Sequence, residues 1–363
     1  MLIRLLRPPL LILLIAVSLN TSTVARYYAQ SISGHLELLH KRVPIAELLA
    51  RHDTPEELRH RLETVLELRR FARDELALPD NDSYLSYSDI GREYVVWNIT
   101  ATPKFALTPI RWCYPVTGCF SYRGYFSEKN ARAYAEKLRQ RGLDVVIRGV
   151  TAYSTLGWFA DPVLNTMLRR DDNRLVKLLV HELAHQKLHI ESDTAFNEAF
   201  ANTVAREGLA RWLVKSEFDS SKIDFELQQS REQDFVSLIG RTRAELKTLY
   251  ASSVSKSQKR QRKREIFEEL KEQYQAWKER WNGYSGYDTF VLKDMNNAKI
   301  ASLMTYHTLE HAFEAVLSYV DGDLDKFYKV AANLGSLSRV ERATCLDALS
   351  QGNDASIPAC LTL

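Results

Sequence analysis

His181-Glu182-Leu183-Ala184-His185 is the stretch on which the reading of this 363-residue chain turns, with Phe196-Asn197-Glu198-Ala199-Phe200-Ala201 a short distance beyond it. Residues four apart lie on one face of a helix, so His181 and His185 can offer both imidazoles to one metal ion. Glu182 sits beside them, placed to take a proton from a water activated by that metal. Leu175, Leu178, Leu179 and Leu183 recur at helical spacing around the motif, and Asp172 or Asn173 can cap the helix they define. The histidines therefore fall near a buried face, where unpaired imidazoles would be costly.

A third ligand has to come from elsewhere. His189 continues the row but lies about 12 Å along the axis from His181, too far for one metal to take both. It is expected as an outer or surface residue. The metzincin pattern needs glycine at 188 and histidine at 191, whereas this chain has Leu188 and Glu191. Glu191 and Asp193 fall in the connecting loop, which places ligands less rigidly. Glu198 falls early in the next helix, capped by Asp193 or Thr194 and ending near Gly208. Ala199 and Ala201 would let two helices approach closely, so Glu198 is favoured. Asn202, one turn on, is a candidate to orient a ligand imidazole.

Upstream, Thr54-Pro55-Glu56-Glu57 reads as a capping box opening a helix to about residue 76. The period then changes. Tyr94-Val95-Val96-Trp97-Asn98-Ile99 reads as a strand, with weaker candidates over 105–110 and 119–126. Ser127 can cap a helix from Glu128, stopped at Gly142. Residues 144–159 follow as a further extended segment, and 150–159 is a candidate edge strand for an extended peptide. Downstream, residues 224–281 contain no proline and one glycine, Gly240. Their apolar spacing predicts a helical hairpin turning at Ser252-Ser253-Val254-Ser255. The basic run 256–264 reads as a solvated face, with peripheral contact to an anionic membrane or peptidoglycan as the alternative. A helix opens at Asn296-Asn297-Ala298 and runs to about Val320, carrying Tyr306, a candidate donor to a developing oxyanion. Two short helices finish the chain.

The overall expectation is an α+β, mostly helical fold, with a small sheet before the motif and a long helical hairpin after it. Hydrophobic content of 45% and charged content of 26% fit a folded globular chain, and a net charge of +3 gives no mandate for nucleic acid. Arg4 and Arg7 precede an apolar run over 10–19, and small or polar residues continue to Ala25. That is the layout of a secretory leader, and the run is short for a transmembrane span. Export to the periplasm or cell envelope is expected, with a retained N-terminal anchor as the other outcome. No cysteine follows the run to take a lipid. The simplest pairing of the four cysteines joins Cys113 to Cys119 and Cys345 to Cys360, closing short loops. The segments divide as 1–25 leader or anchor, 26–80 helical, 81–223 core with sheet and motif helix, 224–282 hairpin, and 283–363 C-terminal helices on the core.

Asn197-Glu198-Ala199-Phe200-Ala201 resembles the segment that supplies the glutamate ligand in gluzincins, although twelve residues separate His185 from Glu198 where eighteen or nineteen are usual. With that shorter spacer, several stretches resemble the bacterial predicted-aminopeptidase family over residues 26–340. These are Tyr27-Tyr28-Ala29-Gln30, Tyr122-Arg123-Gly124-Tyr125-Phe126, Leu156-Gly157-Trp158-Phe159, Asp161-Pro162 and Asn296-Asn297-Ala298. The resemblance implies a gluzincin-like core with one zinc ion on His181, His185 and Glu198, and a peptide substrate. Glu182 would act as general base; Tyr306 remains the candidate donor to the oxyanion from its place in the chain. An exopeptidase also needs a carboxylate for the substrate amine, for which Asp161 and Asp171 are conceivable. The competing readings are a zinc endopeptidase of envelope proteins and a non-catalytic scaffold built on the hairpin.

Overall fold

The computed structural model describes residues 23–114, 118–215, 219–307 and 309–351. The chain is mostly helical, with three small sheets among the described residues. A long first helix, Thr23–His40, leads into Glu56–Asp74 and the sheets. The central sheet is antiparallel, with Val96–Pro103 between Arg123–Tyr125 and Leu143–Val150. Its register runs from Val96 opposite Val150 to Pro103 opposite Leu143. Helix Glu128–Gln140 covers this sheet, burying Ala131, Ala135 and Leu138 against Ile99 and Val145. Ser127 caps it by accepting from the Asn130 amide.

Several boundaries differ from expectation for local reasons. Thr54 does not cap Glu56–Asp74, because its hydroxyl donates to the Leu48 carbonyl and Pro55 occupies the cap position. Residues 105–110 form no strand. Residues 119–126 divide into Gly118–Phe120 and Arg123–Tyr125, separated by a bend. The edge strand stops at Val150, and 151–162 is a loop with Leu156 and Gly157 in the left-handed region at φ 57° and 81°. Residues 150–159 are therefore not the edge strand. The helix expected over 296–320 is two helices, Asn297–His307 and Glu310–Tyr319.

Two helices organise the main core. The motif helix, Asp172–Lys187, buries Leu175, Val176, Leu179, Val180 and Leu183. Its cap is Asp171, one residue earlier than expected, accepting from the Arg174 amide. The glutamate helix, Thr194–Lys215, runs past Gly208 without a break. Gly208 faces the motif helix so closely that a Cβ there would lie 2.8 Å from Leu76 Cδ1 and 3.0 Å from Val180 Cγ1. With Ala201 and Ala205 also buried on this helix, small residues set the helix separation. Phe196 and Phe200 pack on Phe313 and Phe327 and tie the glutamate helix to the C-terminal helices.

The hairpin forms as Asp219–Ala251 and Lys256–Arg280. Ser255 and Gln258 make a reciprocal cap at its turn. Phe235, Leu238, Leu246, Ile266, Leu270 and Tyr274 pack between its arms and continue into Val291 and Ile300. Cys113 and Cys119 form a disulfide across the hairpin Trp112–Tyr114 and Gly118–Phe120. The expected pairing of Cys345 with Cys360 falls partly on residue 360, outside the described residues. The expected leader also lies outside them. Among the described residues no helix is long and apolar enough to cross a membrane.

Candidate metal centre

Where the motif and glutamate helices face each other, three side chains converge. His181 Nε2 and His185 Nε2 lie 3.0 Å apart, and Glu198 Oε2 is 3.3 Å from the first and 3.8 Å from the second. Among the described residues these three form the one His, Cys, Asp or Glu group whose ligand atoms all fall together, within 4.8 Å of one another. His185 and Glu198 are buried, and His181 is partly so.

The electrostatics follow from that burial. Burial, with His181 alongside, pushes His185 down to about 3, so its ring is neutral and offers a lone pair. Burial also lowers His181, but the hydrogen bond and charge of Glu198 outweigh it and raise the imidazole overall. Burial raises Glu198, but the hydrogen bond from His181 and the charges of His185, His181 and His189 together outweigh it and hold the carboxyl below its ordinary range. Two imidazole nitrogens and a carboxylate oxygen facing one point require positive charge between them. A proton on His181 meets that need in the chain alone, and a divalent cation meets it better. The donor set of two nitrogens and one oxygen suits zinc. Glu182 is half-buried, and desolvation, with the charges of Glu198 and Asp161 adding and that of His181 opposing, pushes it up to about 7.

The short loop between the two helices explains the spacer of twelve. Asn197, 4% exposed, donates to the Ile190 carbonyl and accepts from the Ile190 amide, both at 2.8 Å. Asp193 accepts from the Phe196 amide, starting the glutamate helix, and pairs with buried Arg342 at 2.9 Å. Ser192 takes a left-handed conformation at φ 61°. Its carbonyl accepts from Arg111, and its hydroxyl accepts from the Cys119 amide. The loop is thus pinned by its own asparagine, by the C-terminal helix and by the disulfide hairpin.

The remaining candidates separate clearly. Asp193 is engaged in these contacts and Glu191 is exposed. His189 is half-buried past the end of the motif helix and does not belong to the converging group. Asn202 donates to Glu310 at 3.0 Å. Tyr306 lies in Asn297–His307, and its side chain is outside the described set. Asp171 serves the motif helix as its cap and pairs with Arg174 at 3.2 Å. Asp161, 1% exposed, accepts from the Thr155 amide at 2.7 Å and the Thr155 hydroxyl at 3.0 Å. These bonds organise the loop.

Sequence reasoning missed three residues here. Tyr84 is fully buried with a left-handed backbone at φ 63°. Burial raises its phenol, and the charges of Glu182 and Asp161 add to the effect. His307 and Glu310 form a half-hidden pair at 2.9 Å, a turn away from Glu198 through Asn202. No periodicity links residues 84, 202 and 310, so only the fold brings them near the centre.

The family model described as "Putative aminopeptidase" matches residues 26–346. No curated protein and no solved structure matches the chain. The match covers most of the chain, which therefore belongs to that family, and it supports a peptidase-like function.

Proposed function

With membership of an aminopeptidase family as the premise, we propose that the chain is an exported zinc metallopeptidase acting on the amino end of peptides, with a gluzincin-type centre. The observation that carries this reading is the convergence of His181, His185 and Glu198 on one point, with Glu182 half-buried next to His181 on the same helix. These three ligands would leave a fourth position open, as catalytic zinc sites require. A bound zinc ion supplies Lewis-acid polarisation of a carbonyl and a more acidic water.

The chain's own residues do the rest. His185, neutral through burial, holds its lone pair toward the ligand point. Glu198, held ionised, supplies the negative charge that balances a divalent ion. Glu182 accepts a proton from the attacking water at its carboxylate and delivers it to the leaving amine nitrogen. A carboxylate that takes up the proton of the water can return it to the departing nitrogen, so one side chain serves both transfers. Tyr306 stays the proposed donor to the oxyanion. Residues 1–25 are proposed as the export leader or anchor, which would place the centre in the periplasm or envelope.

Glu182→Gln tests this reading. It keeps the size of the side chain and removes its basicity. Peptide hydrolysis should fall by at least about a hundredfold, the general-base contribution, while bound zinc is retained. Unchanged hydrolysis in that variant would remove Glu182 from the chemistry.

A further inference from the structure

The groove that holds the three ligands does not end with them. On the motif helix the row His185, His181 continues to Lys177 and Asn173. On the glutamate helix the row from Glu198 continues to Asn202 and Arg206. Lys177, Asn202 and Arg206 line a cavity of about 350 Å3. Glu232 from the first hairpin helix walls it on one side, and His307 and Glu310 wall it on another. Lys177 and Asn202 each stand four residues, about 6 Å of helix rise, from a ligand residue on the same helix face, so the cavity they line neighbours the ligand point.

Its charges are mostly matched in pairs. Lys177 meets Glu232 at 3.2 Å and Arg206 meets Glu314 at 2.6 Å. Glu310 differs. Its side chain is 17% exposed, Oε1 accepts from Asn202, and Oε2 accepts from His307 Nδ1, a bond that needs no charge on the ring. Two hydrogen bonds leave a carboxylate with acceptor capacity toward the cavity it lines. Burial raises this carboxyl, and the hydrogen bond and charge of His307 together with the charges of Arg206 and Lys177 outweigh that and hold it below its ordinary range. Asp161 and Asp171 do not line the cavity.

We propose that this cavity seats the first residue of the peptide, with Glu310 accepting hydrogen bonds from its free α-ammonium group. The idea rests on the peptidase reading above. One residue of extended peptide plus one ammonium–carboxylate hydrogen bond covers about 6 Å, which matches the helix rise from the ligand residues to Lys177 and Asn202. Asn202 and His307 act as positioning residues, holding the carboxylate toward the cavity. The hairpin is then a wall of the substrate site, through Glu232 and its neighbours, rather than a separate scaffold. The substrate class that follows is a peptide with an unblocked amino terminus. Its first side chain meets polar groups as well as the apolar Leu209 and Val236.

The test uses the zinc-loaded full chain and two probes, L-alaninamide and N-acetyl-L-alaninamide, with binding followed by calorimetry. Hydrolysis of alanyl-p-nitroanilide and its N-acetylated form is measured beside it. Wild type should bind the free amine and not the acetylated probe. Glu310→Gln should weaken alaninamide binding by about tenfold to a hundredfold, the range for a hydrogen bond to a charged group. It should raise KM for the free substrate far more than it lowers kcat. Glu310→Asp, which keeps the charge with shorter reach, should retain part of the preference, and it decides the matter if the glutamine variant fails to fold. Equal alaninamide affinity in wild type and variant would overturn the assignment of Glu310, whatever the hydrolysis shows. Glu310-dependent binding with no hydrolysis of either substrate would leave the amine site standing and overturn the peptidase reading instead.

Discussion

Asn197→Ala is the perturbation that most directly probes how so short a spacer delivers Glu198 to the histidines. The Asn197 side chain makes two hydrogen bonds of 2.8 Å, one to each backbone group of Ile190. Alanine removes both and leaves the Ile190 amide and carbonyl without them, in a half-buried loop. Each group left unsatisfied costs about 1–3 kcal/mol, and partial solvent access favours the lower half, so the total is about 2–4 kcal/mol. At about 2–4 °C per kcal/mol for a mid-sized domain, and less for a longer chain, the melting temperature should fall by roughly 3–10 °C. Because Asn197 precedes Glu198 directly, zinc retention against a chelator should weaken as well. Asn197→Asp is the informative control. It can still accept from the Ile190 amide but cannot donate to the carbonyl, so it should recover part of the stability. The assay is thermal unfolding with and without zinc, followed by chelator competition. An alanine variant that melts within about 1 °C of wild type and holds zinc equally well would refute the idea that this asparagine sets the loop.

Two further outcomes follow from the packing and the charges. Gly208→Ala gains about 1 kcal/mol of helix propensity but forces a methyl to within 2.8 Å of Leu76 and 3.0 Å of Val180, an overpacking cost of about 1–3 kcal/mol. Net destabilisation of up to about 2 kcal/mol is expected in urea unfolding, and a more stable variant would show that the two helices are not in contact there. Glu37, on the first helix, accepts from Arg92 at 2.9 and 3.0 Å. Burial pushes its carboxyl up, but the hydrogen bonds and charges of Arg92 and Lys41 outweigh it and hold it below the ordinary 4.5. A carboxyl lowered in the folded state contributes stability that is present above its unfolded value and lost as pH falls through the folded one. Glu37→Gln should therefore lose stability at neutral pH and show a flatter decline below about pH 4.5, measured by melting temperature across pH. An unchanged acid slope would show that Glu37 gains nothing from Arg92.

What could be read from the chain alone was whatever is local and periodic. His181 and His185 are joined by the helical repeat, and Ser127 and Ser255 announce their helices through side chains that reach only a few residues. Glu198 was legible because Asp193 starts its helix and small residues follow it. The mixed helical architecture with a small sheet came from the same kind of signal. The misreadings came from competition that sequence does not show. Thr54 had a better partner in the Leu48 carbonyl than the helix it preceded. Residues 150–159 carry strand-forming side chains, yet the Asp161 carboxylate gathers Thr155 into a loop instead. Glu310 was invisible as a site residue, since its partner Asn202 lies 108 positions away. Asp161 and Asp171 drew notice as acids, but each had a structural duty that only the fold displays.

The central claim is that His181, His185 and Glu198 hold one zinc ion. Elemental analysis of the purified full chain after zinc loading and exhaustive dialysis tests it most directly, with Glu198→Ala and His185→Ala run alongside. About one zinc per chain in wild type, falling well below half in both variants while they remain folded, is the result expected of a three-ligand site. A wild-type chain that retains no zinc, or variants that retain as much as wild type, would contradict it.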